Sequence, residues 1–133
     1  MAITQGIHHL GLTVPNIDAT RDFFVNVLEF NQVGTVPAYP AYFLSDGTTM
    51  LTLWQATDPT SATPFDRKTN IGLHHFALKV DGVETLNALH EKLKNTEGVA
   101  IEFAPEPLGG GPSQHMMFYI PSGIRMELIA LVS

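Results

Sequence analysis

Two His-His pairs, His8-His9 and His74-His75, stand 66 residues apart. Imidazole is the side chain that both binds divalent metals and moves protons near neutral pH. The chain has no cysteine. Any metal must therefore be held by nitrogen and oxygen, and disulfide, zinc-finger and thiol-redox chemistry drop out. A third candidate is Glu127, set between Met126 and Leu128 in an apolar run where a carboxylate needs a partner. That partner is either a metal ion or Arg125, two residues back on the same face of a strand. Two inward imidazoles and one carboxylate make the facial ligand set of non-haem iron and related ions, so His9, His75 and Glu127 are expected to bind one divalent metal.

The elements around the pairs choose between their members. Ile7-His-His-Leu-Gly-Leu-Thr-Val14 reappears as Leu73-His-His-Phe-Ala-Leu-Lys-Val80, an internal repeat at a constant offset. Each copy alternates like a half-buried strand. In the first, His8, Leu10, Leu12 and Val14 share an apolar face and His9, Gly11 and Thr13 a more open one. In the second, His74, Phe76, Leu78 and Val80 oppose His75, Ala77 and Lys79. His9 and His75 are thus expected on the open face, and His8 and His74 on the core face.

Helical spacing follows each strand. The first helix is predicted to start with Asp18 as N-cap and to bury Phe23, Phe24, Val27 and Leu28. The second is predicted from Gly82 to Asn95, with Val83, Leu86, Leu89 and Leu93 inward. His90 lies on this helix and receives no role. Strand-like runs come next, 31–36, 41–45 and 48–54, with a tight turn at Asp46-Gly47. The second half offers 99–103, 114–120 and 124–131, with Pro121-Ser-Gly123 at the corresponding turn. The predicted class is α+β, with two tandem βαβββ modules whose strands form a curved mixed sheet under outer helices. One domain, 1–133, would hold module one at 1–55, a Thr/Pro/Asp-rich linker at 56–70 and module two at 71–133. The stretch 104–112, with Gly109-Gly110-Gly111, reads either as a lid or as a long hairpin loop.

Composition narrows the partners. A chain of 133 residues with 44% hydrophobic content can bury one core. A formal charge of −6 repels a phosphate backbone, so nucleic acid is not an expected partner. No apolar run reaches bilayer length and the N-terminal residues lack signal-peptide character, so no membrane partner and a cytoplasmic location are expected.

Taken in order, His8 to Val14, Asp18 to Phe30 ending Val-Leu-Glu-Phe, Leu73 to Val80, and Tyr119-Ile-Pro-Ser-Gly-Ile-Arg-Met-Glu127-Leu resemble the vicinal oxygen chelate superfamily. That group includes glyoxalase I, extradiol dioxygenases, fosfomycin-resistance thiol transferases and bleomycin-binding proteins. The resemblance spans nearly the whole chain. It implies two modules lining a cup, a divalent ion such as Fe(II), Mn(II), Ni(II) or Zn(II), a small-molecule substrate chelated through adjacent oxygens, and a homodimer. Three of the family's four ligand places match His9, His75 and Glu127. The fourth falls on Thr52 or, if the turn length shifts by one, Leu51, neither a strong ligand, which moves the expectation away from a standard lactoylglutathione lyase.

Two chemistries stay open, dioxygenase-like and lyase-like. His115 and Tyr119, four apart on one strand, resemble the acid–base pair of extradiol enzymes and are the catalytic candidates, with an ordinary core strand as the alternative. Lys79 and Arg125 are the placed cations, few for a fosfomycin-type thiol transferase. A non-enzymatic binder would hold an aromatic ligand against Trp54, Phe43 and Tyr42. Thr52, Trp54, Lys79 and Arg125 are the expected substrate contacts.

Overall fold

The structure is a computed structural model that describes all 133 residues. The chain divides into two compact units, Met1–Ala62 and Thr63–Ser133. The first contains β1 (His9–Val14), α1 (Ile17–Asn26), β2 (Asn31–Val36), β3 (Ala41–Ser45) and β4 (Met50–Gln55). The second contains β5 (Phe76–Lys79), α2 (Gly82–Lys94), β6 (Ala100–Pro107), β7 (Gln114–Tyr119) and β8 (Arg125–Ala130). The α+β class and the two βαβββ modules are as the sequence predicts, each module building one four-stranded mixed sheet. Strand orders are β1-β4-β3-β2 and β5-β8-β7-β6. No helix is long and apolar enough to cross a membrane.

In the first unit, Leu12, Val14, Leu44, Leu51 and Leu53 are buried, as are Phe23 and Phe24 of α1, which lies against β3 and β4. Burying such side chains contributes about 2–3 kcal/mol each. Asn16, not Asp18, caps α1, its side-chain oxygen accepting from the Ala19 amide at 3.0 Å. The helix begins two residues earlier than predicted because Gln55, at the end of β4, also accepts from the Ile17 amide and donates to the Pro15 carbonyl. Asp18 then falls in the first turn, where a carboxylate suits the helix dipole. Tyr42 donates to it at 2.7 Å and lies under Arg21, so Tyr42 faces α1 rather than the open face expected for it.

The second unit repeats the plan. Leu86 and Leu93 of α2 are fully buried, as are Met116, Phe118, Met126 and Leu128 of the sheet. β6 runs to Pro107, pairing with Gln114 of β7 after two register shifts, and takes in the first residues of the predicted irregular stretch. A proline is tolerated there because β6 is an edge strand. The remaining loop is short and closed by a bond from the Leu108 amide to the Ser113 carbonyl at 2.8 Å. Gly123, at φ 86°, makes the turn into β8 that most residues resist.

Candidate functional site

Strand register sets the positions. In the parallel pair β1–β4, Gly11 stands opposite Thr52; in β5–β8, Ala77 stands opposite Glu127. Gly11 and Ala77 are related by the internal repeat, so Thr52, and not Leu51, occupies in the first module the place of Glu127 in the second. Its hydroxyl accepts from the Trp54 indole at 2.9 Å. Trp54 also packs edge-on against Tyr39, with ring centroids 4.6 Å apart, and near Phe43. A Cβ at Gly11 would come within 3.1 Å of Thr52 Oγ1, so the missing side chain leaves this hydroxyl room.

On the helix-free face of the second sheet, Arg125, Glu127 and Ile129 of β8 stand opposite Tyr119, Met117 and His115 of β7. Glu127 is buried, and both carboxylate oxygens have imidazole partners. His75 Nε2 lies 3.1 Å from Oε1 and His115 Nδ1 lies 2.5 Å from Oε2. The other nitrogen of His115 is 3.9 Å from Glu106, and Phe103 packs against its ring. Arg125 is not the partner of Glu127. It forms a two-pronged pair with Glu102, at 2.9 and 2.7 Å.

Glu102 is the residue that sequence reasoning missed. Besides Arg125 it meets Arg67 at 2.6 Å and accepts from the Tyr119 hydroxyl at 3.1 Å. Arg67 also donates to that hydroxyl at 2.6 Å. The Arg125 guanidinium, with Tyr119 and Arg67, holds the Glu102 carboxyl down to about 2 against a desolvation that alone would raise it. The signal for Glu102 was an acidic residue between Ile101 and Phe103 in a strand; Arg67, in the expected linker, carried none.

The histidine pairs depart from the alternation argument. β5 begins at Phe76 and β1 at His9, so His74, His75 and His8 all precede regular strand. His8 and His74 are exposed rather than on the core face. In each pair the two Nδ1 atoms approach, to 2.9 Å for His8 and His9 and 2.7 Å for His74 and His75. The first member thus engages Nδ1 of the second and leaves its Nε2 for another partner, the arrangement by which an outer residue fixes a ligating ring. Desolvation, with the nearby His75, Arg125 and Arg67, holds His74 below its usual range.

The structure thus brings His75, His115 and Glu127 together in the second unit, and Thr52 and Trp54 in the first. His9 lies in the first unit beside His8, and Lys79 is exposed on β5. Two ligand atoms each about 2.1 Å from a shared ion stand roughly 3.0–3.4 Å apart. The 3.1 Å between His75 Nε2 and Glu127 Oε1 fits that spacing, and the donors are of the right chemistry. No group of three or more His, Asp or Glu side chains is arranged as a metal cage as the chain stands.

The chain belongs to the Glyoxalase/Bleomycin resistance protein/Dioxygenase superfamily, whose family model matches residues 6–128. Among individual relatives, it is 26% identical over 147 residues to a 2-epi-5-epi-valiolone epimerase from Actinomyces sp, covering 94% of this chain and 79% of that protein. Its fold is similar to a glyoxylase/bleomycin resistance protein/dioxygenase domain from Frankia sp. EAN1pec (TM-score 0.83, 20% identity, 98% of this chain and 94% of that one). It is also similar to a genomically encoded fosfomycin resistance protein from Listeria monocytogenes (TM-score 0.76, 19% identity, 98% and 96% covered).

Proposed function

We propose that this chain is a divalent-metal-dependent enzyme whose ion is held by His9, His75 and Glu127 and whose substrate binds through two adjacent oxygens. The observation that carries the reading is the buried Glu127 carboxylate, with His75 Nε2 at one oxygen and His115 Nδ1 at the other. A buried carboxylate needs such partners, and no guanidinium or lysine supplies them. The bound ion would act as a Lewis acid, steadying negative charge that develops on the chelated oxygens. Thr52, at the place equivalent to Glu127, adds no carboxylate, so three protein ligands leave positions for substrate.

Between the two chemistries, the geometry favours proton transfer next to the chelated oxygens over ring-cleaving dioxygenation. The dioxygenase reading asks His115 and Tyr119 to act on substrate. His115 instead holds Glu127, and the Tyr119 hydroxyl is engaged by Glu102 and Arg67. The relative named as an epimerase supports the same choice, because inverting a centre beside a carbonyl is achieved by removing a proton and returning it. In this reading His115 orients Glu127, and His8 and His74 orient His9 and His75.

The test is solvent isotope incorporation. Metal-loaded protein in D2O, offered cyclic and linear hydroxy-ketones and hemithioacetals, should introduce deuterium beside the carbonyl. Oxygen uptake with catechols and no deuterium incorporation would replace the reading with a dioxygenase. A second reading, a non-enzymatic binder, draws on the Tyr39–Trp54 pair. It predicts quenching of Trp54 fluorescence by aromatic ligands in protein with no affinity for metal.

A further inference from the structure

Phe65, Asp66, Arg67, Lys68 and Tyr119 line a pocket of about 300 Å³ in the second unit. That is the lower end of the size of small-molecule sites. We infer that this pocket binds a compact oxyanion, a carboxylate, phosphate or phosphonate, through Arg67 and Lys68 beside the Tyr119 ring, and that the substrate carries such a group. The substrate half of the inference rests on the reading that Glu127 marks the reaction centre; the pocket half does not.

Placement comes first. Tyr119 stands opposite Arg125, and Arg125 precedes Glu127 by two residues on the same face of β8. Two strand residues span about 7 Å. One small molecule can therefore reach from the carboxylate of Glu127 to the pocket.

Charge comes second. Arg67, Lys68 and Arg125 face only Asp66 and Glu102 here, leaving one excess positive charge in a chain whose formal net charge is −6. Glu102 is already matched by the two-pronged Arg125, so the charge of Arg67 is not cancelled by it alone. Asp66 turns one oxygen to the backbone amides of Lys68 and Thr69, at 2.8 and 3.2 Å, which shapes the turn that presents both cations.

Donor supply comes third. Arg67 spends Nη1 on Glu102 and Tyr119, and a guanidinium carries five N–H donors. Glu102 and Tyr119 thereby fix the fork while its other donors serve a ligand, and Arg is the side chain suited to two-pronged oxyanion contacts. Phe65 supplies an apolar wall for the carbon next to the anion.

The experiment uses full-length, chelator-treated protein and three probes, inorganic phosphate, methylphosphonate and acetate, followed by amide chemical shifts. At least one probe should move the signals of Arg67, Lys68 and Tyr119, and the three arms tell which oxyanion fits. Lys68→Gln and Arg67→Gln should each weaken binding at least fivefold, and Arg67→Lys, which keeps the charge but loses the two-pronged contact, should recover only part of the loss. Glu127→Ala should leave it unchanged. If Arg67→Gln fails to fold, Lys68→Gln and Arg67→Lys decide. Probe affinity unchanged in folded Lys68→Gln and Arg67→Gln, or shifts confined to other residues, overturns the inference. Phosphate binding without any metal affinity would sink the metal reading and leave the pocket standing; the reverse result would do the opposite.

Discussion

Nδ1 of His115 on β7 lies 2.5 Å from Oε2 of Glu127 on β8, so one oxygen of a buried carboxylate is fixed while the other faces His75. This relationship makes His115 a positioning residue in the proposed site rather than a ligand or a free acid.

His115→Ala should therefore lower metal affinity by about 10–100-fold, the usual cost of losing an outer hydrogen bond, while one ion still binds at saturation. His115→Asn should recover part of the loss, since an amide can donate at a similar reach. Competition with a chromophoric chelator measures both. Complete loss of binding, as expected for Glu127→Ala, would make His115 a ligand, and unchanged affinity would remove its role.

Glu102 gives the fold a pH signature. Its carboxyl sits at about 2 in the folded chain against an ordinary 4.5. A group depressed in this way stabilises the fold above its unfolded value, and that contribution is lost as pH falls through the folded one. The window therefore runs from about pH 4.5 down to about 2. Each unit corresponds to about 1.4 kcal/mol; discounted for partial exposure, the contribution is about 2 kcal/mol. Urea unfolding at pH 7, 4 and 3 should show this loss in the wild type and a flatter profile in Glu102→Gln. Parallel profiles would contradict the assignment.

Thr52 tests the first module. Trp54 is the chain's single tryptophan, so its emission reports the Thr52 hydroxyl directly. Thr52→Val should shift that emission and cost about 1 kcal/mol, the net value of one hydrogen bond, with metal content unchanged. Loss of metal in this variant would make Thr52 part of the metal site after all.

The repeat and its two periodicities made most of the fold legible. Leu10, Leu12 and Val14 against Gly11 and Thr13 located the buried face, and Leu86 and Leu93 the inner side of α2. Alternation failed at the histidine pairs because His8 and His74 lie outside regular strand, where the period of two no longer holds. Tyr42, offered as one wall for an aromatic ligand, faces α1 instead because its ring packs under Arg21 and its hydroxyl is satisfied on Asp18. The Asp18 cap lost to Asn16 because Gln55, 38 residues from Ile17, also binds the helix start. Register settled Thr52 over Leu51, which turn length alone left open. Arg67 and Glu102 were hidden for a general reason: an ion pair between residues 35 apart leaves no trace in local spacing.

The central claim is the metal, and direct analysis of metal content with Fe(II), Mn(II), Ni(II) and Zn(II) tests it. Wild-type protein should bind one ion per chain. His9→Ala, His75→Ala and Glu127→Ala should each lose most of it, while His8→Ala and His74→Ala keep full occupancy at saturation with weakened affinity. A wild-type protein that binds none of the four ions, or equal loss from the His8 and His9 variants, would contradict the account.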